Sequence, residues 1–192
     1  MGAIDDLDSI YESYALEFPE SERKTKDQLK QLMRRGAYVL LIAEKHGESG
    51  SERIGFACLY VPISEDFIWL DYLVIERAYQ SKGYGSKFLE EIMRRWSERR
   101  GMFIEVEIPT GKDIDQDRRI AYYERHGAKR LPINYHLPTE VNEMPMYLYY
   151  STLSSDDRPS NEYIEKAIIS ANTTIHWDHA YLESVWQKNQ FI

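Results

Sequence analysis

Two groups of residues in this 192-residue chain are of types and spacings that can do chemistry. The first is Gln80-Ser81-Lys82-Gly83-Tyr84-Gly85-Ser86. It is a polar turn with a glycine pair, set between the apolar run Trp69 to Ile75 and a stretch with Phe88, Leu89, Ile92, Met93 and Trp96 at helical spacing. Glycines at a strand-to-helix turn let the main chain approach a ligand closely, and the unbonded N–H groups of the first helical turn favour negative charge. That is the physics of a phosphate site. A P-loop needs a Gly-Lys-Ser/Thr string that is absent here, and a dinucleotide fingerprint needs a third glycine where Phe88 stands. The second group is a set of proton carriers. Asp71 is a lone carboxylate in an apolar strand, where a charge is costly unless used or paired. Glu105 and Glu107 share one face of the later strand MFIEVEIP. Carboxylates so placed can take up a proton and relay it through water. The plainer readings are a glycine-capped turn and ion pairs to Arg118 or Arg119.

The elements that must position these groups follow from the periodicity. Ile4 to Phe18 predicts a helix with Leu7, Ile10, Tyr11, Tyr14 and Phe18 on one stripe and Pro19 as its stop. Lys24 to Arg35 predicts a second, with Leu29, Leu32 and Met33 inward and Gly36 as its end. The strands Ala37 to Lys45 and Ile54 to Ile63 come next, joined by a polar hairpin loop from His46 to Glu52. Trp69 to Ile75 is the third strand, Glu76 to Lys82 the turn, and the glycine pair opens the third helix. A strand from Met102 to Pro109, a helix from Arg118 to His126, a short strand from Ala128 to Pro132 and a longer one from Met144 to Ser151 complete the pattern, with a loop containing Tyr135, His136 and Pro138 before the last. The order is that of an α+β (mixed α/β) fold with one central, mostly antiparallel mixed sheet flanked by helices. Residues 1–151 form the expected domain. Residues 152–192 are an expected C-terminal helical extension, entered through the linker Asp156-Asp157-Arg158-Pro159, which covers the domain or joins a homodimer.

Composition narrows the class. With 43% hydrophobic residues the chain can bury a full core. A net charge of −8 argues against nucleic acid as partner and is compatible with a small cationic substrate such as an amine. Cys58 is the lone cysteine, so no intrachain disulfide forms and a reducing, cytoplasmic setting is expected. No apolar run is long enough for a membrane span, and the acidic start lacks the pattern of a signal peptide.

The loop Gln80-Ser81-Lys82-Gly83-Tyr84-Gly85 resembles the (Gln/Arg)-x-x-Gly-x-(Gly/Ala) pyrophosphate loop of the GCN5-related N-acetyltransferases (GNAT). Arg118 to Gly127 is similar to that family's Asn-x-x-Ala-x-x-(Phe/Tyr)-Tyr-Glu-x-x-Gly-Phe segment. The departures are Gln116 where Asn is frequent, Arg119 where Ala is, and Ala128 where Phe is usual. The resemblance spans about Ile4 to Ser151 and implies an acyl-CoA-dependent N-acyltransferase, with acetyl-CoA as co-substrate, an amine as acceptor and no metal. It implies Tyr123 as general acid, a base on or near the third strand, and pairing of the Leu73, Val74 and Ile75 backbone with pantetheine. The base is left open among Asp71, Glu105 and Glu107. The rival reading is a non-catalytic acyl-CoA sensor or interaction module on the same scaffold. The family's first short strand is not visible in the sequence.

Other candidates are weaker. His176 and His179 lie at zinc-like spacing but lack a third ligand, and read as a helix start. Arg94, Arg95, Arg99 and Arg100 read as a solvated face, with a coenzyme phosphate as the sharper alternative. Cys58 reads as core. Tyr135 and His136 read as a loop that packs on the surface or closes over substrate.

Overall fold

The computed structural model describes residues 1–20, 22–47, 50–139, 143–154, 158–177 and 182–192. The fold is α+β, with a central, mostly antiparallel sheet flanked by helices. The chain divides into two compact units, Met1–Glu65 with Leu70–Trp96 and Asp66–Trp69 with Ser97–Ile192.

The first unit holds α1 (Asp6–Glu17), α2 (Lys26–Arg34), β1 (Tyr38–Gly47), β2 (Gly50–Tyr60), most of β3 (Phe67–Ile75) and α3 (Tyr84–Arg95). Its strand order is β1-β2-β3. Thr25 and Gln28 form a reciprocal capping box that starts α2. The apolar stripes turn inward as expected, with Leu7, Ile10 and Tyr14 of α1 and Leu29 and Leu32 of α2 buried. The expected hairpin loop from His46 to Glu52 is corrected: β1 runs to Gly47 and β2 starts at Gly50, because backbone pairing continues past the apolar residues. Residues 48 and 49 lie outside the described residues. Gly55 has a packing reason, since a Cβ there would run into the Val74 carbonyl of β3. No strand precedes β1 among the described residues, although the Gly2 N–H donates to the Leu40 carbonyl at 2.8 Å.

The second unit holds β4 (Gly101–Glu107), α4 (Ile114–Arg125), β5 (Lys129–Arg130), β6 (Ile133–Pro138), β7 (Glu143–Thr152), α5 (Asn161–Ile175), α6 (Leu182–Trp186) and β8 (Gln190–Phe191). The strand order is β4-β7-β6-β8, with β5 also on β7. Phe67, Trp69, Phe103, Tyr150 and Tyr163 form its aromatic core, with Trp69 stacked on Phe103 at 5.3 Å. The helix expected at Arg118 starts a turn earlier, where the Asp113 side chain accepts the Asp115 N–H at 2.9 Å. The segment expected to be a loop over Tyr135 and Pro138 is strand β6 instead. Its residues pair with β7 and its Tyr135, Leu137 and Pro138 are buried. The stretch at His176 is a helix end, not a start: His176 is the C-cap of α5. Asp178 and His179, and the Asp156-Asp157 part of the expected linker, lie outside the described residues.

Candidate active site

In the first unit β3 delivers the chain to a turn of 3-10 helix at Arg77–Tyr79 and then to α3. The Gln80 amide donates to the Ile75 carbonyl at 2.8 Å and the Lys82 ammonium to the Ala78 carbonyl at 2.7 Å, which folds the loop back on the strand end. Ser81 and Gly83 both take positive φ, of 59° and 80°. Gly83 is the N-cap of α3, and a Cβ built on it meets nothing within 4 Å, so the space beside this turn is open. No acidic side chain stands in the first turn, while Arg94 and Arg95 occupy the last. The positive end of the helix dipole therefore meets no carboxylate from its own first turn, an arrangement that favours an anionic ligand. These features fit a pyrophosphate.

Asp71 does not open onto that loop. Its carboxylate accepts from the Lys24 ammonium at 3.1 Å and from the Tyr38 hydroxyl, and its side chain is 5% exposed. Lys24 also donates to the Tyr72 hydroxyl at 3.1 Å, and its own N–H goes to the Tyr14 hydroxyl at 2.6 Å. The Tyr72 hydroxyl donates to the Glu22 carbonyl at 2.9 Å. Burial, and then the Asp71 charge, push the Tyr38 and Tyr72 phenols well above the usual range. Asp71 is thus the centre of a buried polar knot that ties the residues between α1 and α2 to β3.

In the second unit Glu107 of β4 forms an ion pair with Arg119 of α4. Tyr123 lies one helical turn beyond Arg119 and is buried. Burial is the main force that pushes its phenol up to about 12; Arg119 pulls it down and Glu107 pushes it up. At neutral pH Tyr123 holds its proton. Glu105, two residues before Glu107, accepts from the hydroxyl of Tyr135 on β6, and that hydroxyl stands 3.4 Å from Oδ1 of Asn172 on α5. Reading the sequence missed both Tyr135 as a partner of Glu105 and Asn172 altogether. Asn172 had a visible signal, a carboxamide inside the apolar stripe of Ile164, Ala167, Ile168 and Ala171.

The family profile described as "Acetyltransferase (GNAT) family" matches residues 7–128, well over half of the chain. The chain belongs to the GNAT family. A GNAT relative in fold, from Bacteroides thetaiotaomicron, superposes with a TM-score of 0.72 at 22% identity, covering 91% of this chain and 93% of that one. The protein YjbC of Bacillus subtilis (strain 168), which carries the name of an acetyltransferase, is 25% identical over 181 residues, 92% of this chain and 84% of its own length. The crystal structure of an aminoglycoside 6'-N-acetyltransferase complexed with coenzyme A superposes with a TM-score of 0.54 at 15% identity, covering 82% of this chain and 93% of that one.

Within this GNAT chain the matched stretch contains the loop at Gln80–Ser86 and Tyr123, and stops before Tyr135 and Asn172. The remaining candidates have local roles. Cys58 is buried and burial pushes its thiol up to about 12, which makes it inert core. Arg94 is paired with Glu91, Arg95 lies 5.5 Å from the Trp96 ring and Arg100 lies 4.5 Å from the Tyr163 ring, so the basic run is engaged locally. No group of three metal-type ligands occurs among the described residues. No helix among them is long and apolar enough to cross a membrane.

Proposed function

We propose that this GNAT protein is an acyl-CoA-dependent N-acyltransferase that moves an acetyl group from acetyl-CoA to a primary amine. The observation that carries the reading is the α3 N-terminus, with Gly83 at positive φ opening on free space and no acidic residue in the first turn. Gln80, Ser81, Lys82, Gly83, Tyr84, Gly85 and Ser86 would hold the pyrophosphate, and the backbone of Leu73, Val74 and Ile75 the pantetheine. The coenzyme supplies an acyl group activated as a thioester. In the balanced reaction a C–N bond forms and the C–S bond breaks. Glu105 takes the proton that the ammonium must lose, and Tyr123 keeps a proton at its hydroxyl for the departing sulfur. Asp71 is set aside as base because Lys24 and Tyr38 enclose its carboxylate. Glu107 is set aside because it serves Arg119. The division we favour gives the reaction to residues 1–151, with 152–192 as an extension. The setting we favour is the cytoplasm, where the protein acts without a metal on a cationic acceptor suited to its charge of −8.

Calorimetric titration of acetyl-CoA into the wild-type chain and into a Gly83→Glu, Gly85→Glu double variant tests the proposal. Binding to the first and none to the second is expected, since two carboxylates would crowd the loop and repel the phosphates. A folded wild-type chain that binds neither acetyl-CoA nor free CoA would overturn the reading. Binding with no transfer to any amine of a broad panel would replace it with an acyl-CoA sensor.

A further inference from the structure

Asn172 is 1% exposed on the buried face of α5. A buried carboxamide is costly unless its donors and acceptor are bonded. Its Oδ1 stands 3.4 Å from the Tyr135 hydroxyl and its Nδ2 has no partner among the described residues. Tyr135 has one phenolic proton and gives it to Glu105. That proton cannot also serve Asn172. The contact is satisfied when the carboxamide is turned over, so that Nδ2 donates to the phenol oxygen; which end of an amide carries nitrogen is decided by the network around it. One N–H of the carboxamide then points at the phenol oxygen and the phenol at the carboxylate, in the order Asn172 to Tyr135 to Glu105, and each bond polarises the next.

We propose that Tyr135 and Asn172 are positioning residues for Glu105, and that the C-terminal helix α5 is thereby a working part of the acceptor side of the enzyme. The proposal rests on the reading of Glu105 as the group that takes the amine's proton. Tyr135 fixes one carboxylate oxygen, Oε1. Asn172 holds the Tyr135 proton in the direction of that oxygen. The Tyr135 ring is itself set by Trp69, 6.2 Å away. A leucine at 172 would have similar volume without an amide to satisfy, and removing a poorly satisfied buried polar group is often neutral or stabilising. A polar residue held at such a place is what a functional requirement produces.

The test uses the full chain with Asn172→Leu and Tyr135→Phe. Three quantities are read: steady-state acetylation of an amine, thermal unfolding, and the carbon-13 carboxyl resonance of Glu105 in glutamate-labelled protein, assigned with Glu105→Gln. Asn172→Leu is expected to keep or raise Tm while lowering kcat about tenfold, a fraction of what a proton-transfer group supplies. The KM for acetyl-CoA should stay constant, and the Glu105 resonance should move in the same direction as in Tyr135→Phe. A packing role predicts the reverse, a lower Tm with kcat intact, and would overturn the proposal. So would an unmoved Glu105 resonance, which is read without substrate and therefore decides the matter even for a chain that acetylates none of the amines tried. A moved resonance with kcat intact would overturn the use of Glu105, and this proposal with it, while leaving acetyl-CoA binding standing.

Discussion

Lys24 and Asp71 lie 47 positions apart in sequence and meet at 3.1 Å in the interior of the first unit, with side chains 9% and 5% exposed. Such a pair repays its desolvation only when both partners are present. Asp71→Asn is therefore expected to cost about 3–5 kcal/mol, because it strands the Lys24 charge. The double variant Lys24→Met, Asp71→Leu should recover most of the loss. Urea unfolding of the three proteins checks this. An Asp71→Asn protein as stable as wild type, with the acid limb of its pH–rate profile gone, would return Asp71 to the role of base.

Tyr123→Phe should lower kcat about a hundredfold, the low end of what a positioned acid supplies. The affinity for acetyl-CoA should hold, since the loop that would bind it lies elsewhere in the chain. Stopped-time assays with product thiol detection, next to calorimetry, separate the two quantities. An unchanged kcat would remove Tyr123 from the reaction.

Burial sets most of the strength of Tyr123 as an acid, and an opposed pair adjusts it. Arg119 stabilises its phenolate and Glu107 opposes it. Glu107→Gln should lower the Tyr123 phenol from about 12 and Arg119→Ala should raise it. Difference absorbance titration against the Tyr123→Phe variant reads both directions. Shifts of the same sign in the two variants would show that charge is not what couples these residues to Tyr123.

The buried tyrosines predict an alkaline limit. Burial raises the phenols of Tyr14, Tyr38, Tyr72 and Tyr123. In the unfolded chain they ionise near pH ~10. Above that pH the unfolded chain binds fewer protons than the native one, so stability falls as pH rises. Their contribution is complete below the unfolded value and is lost on the way up to the native values. Urea midpoints should be level in the neutral range and drop beyond pH ~10, with the phenolate absorbance of Tyr14, Tyr38 and Tyr72 appearing together with unfolding. Phenolate from these three residues in a still-folded protein would contradict their burial.

Periodicity and punctuation made most of the fold legible, because Leu7, Ile10, Leu29, Leu32, Leu89 and Ile92 had both the spacing and the burial of a core face. The turn at Gln80 to Gly85 was legible as a strand-to-helix connection from residue types alone. Three features were not. The partner of Asp71 is Lys24, which lies in an irregular polar segment where no period marks a residue as inward. Strand β6 was hidden although Ile133 to Leu137 alternate apolar and polar, because Pro132 and Pro138 bound the segment and read as loop punctuation. Strand β8 is two residues long, below any pattern a sequence can display. The chain from Glu105 through Tyr135 to Asn172 depends on both β6 and the tail helix, so it was out of reach for the same reason.

Strand β8 places Phe191 opposite Ile133 and Gln190 opposite Asn134, and the Ile192 N–H reaches the Pro132 carbonyl at 2.9 Å. A bare sheet edge is a template on which foreign strands grow, and β8 occupies that template with the molecule's own chain. Two paired residues form a short seal, easily peeled by heat or by a protease that trims the last few residues. Once peeled, β6 would offer its backbone to a neighbour, and the same segment that covers one molecule would be free to cover another. Residues 190–192 therefore cover the backbone of β6 where it would otherwise lie open, and the cover holds only while that short pairing stays in place.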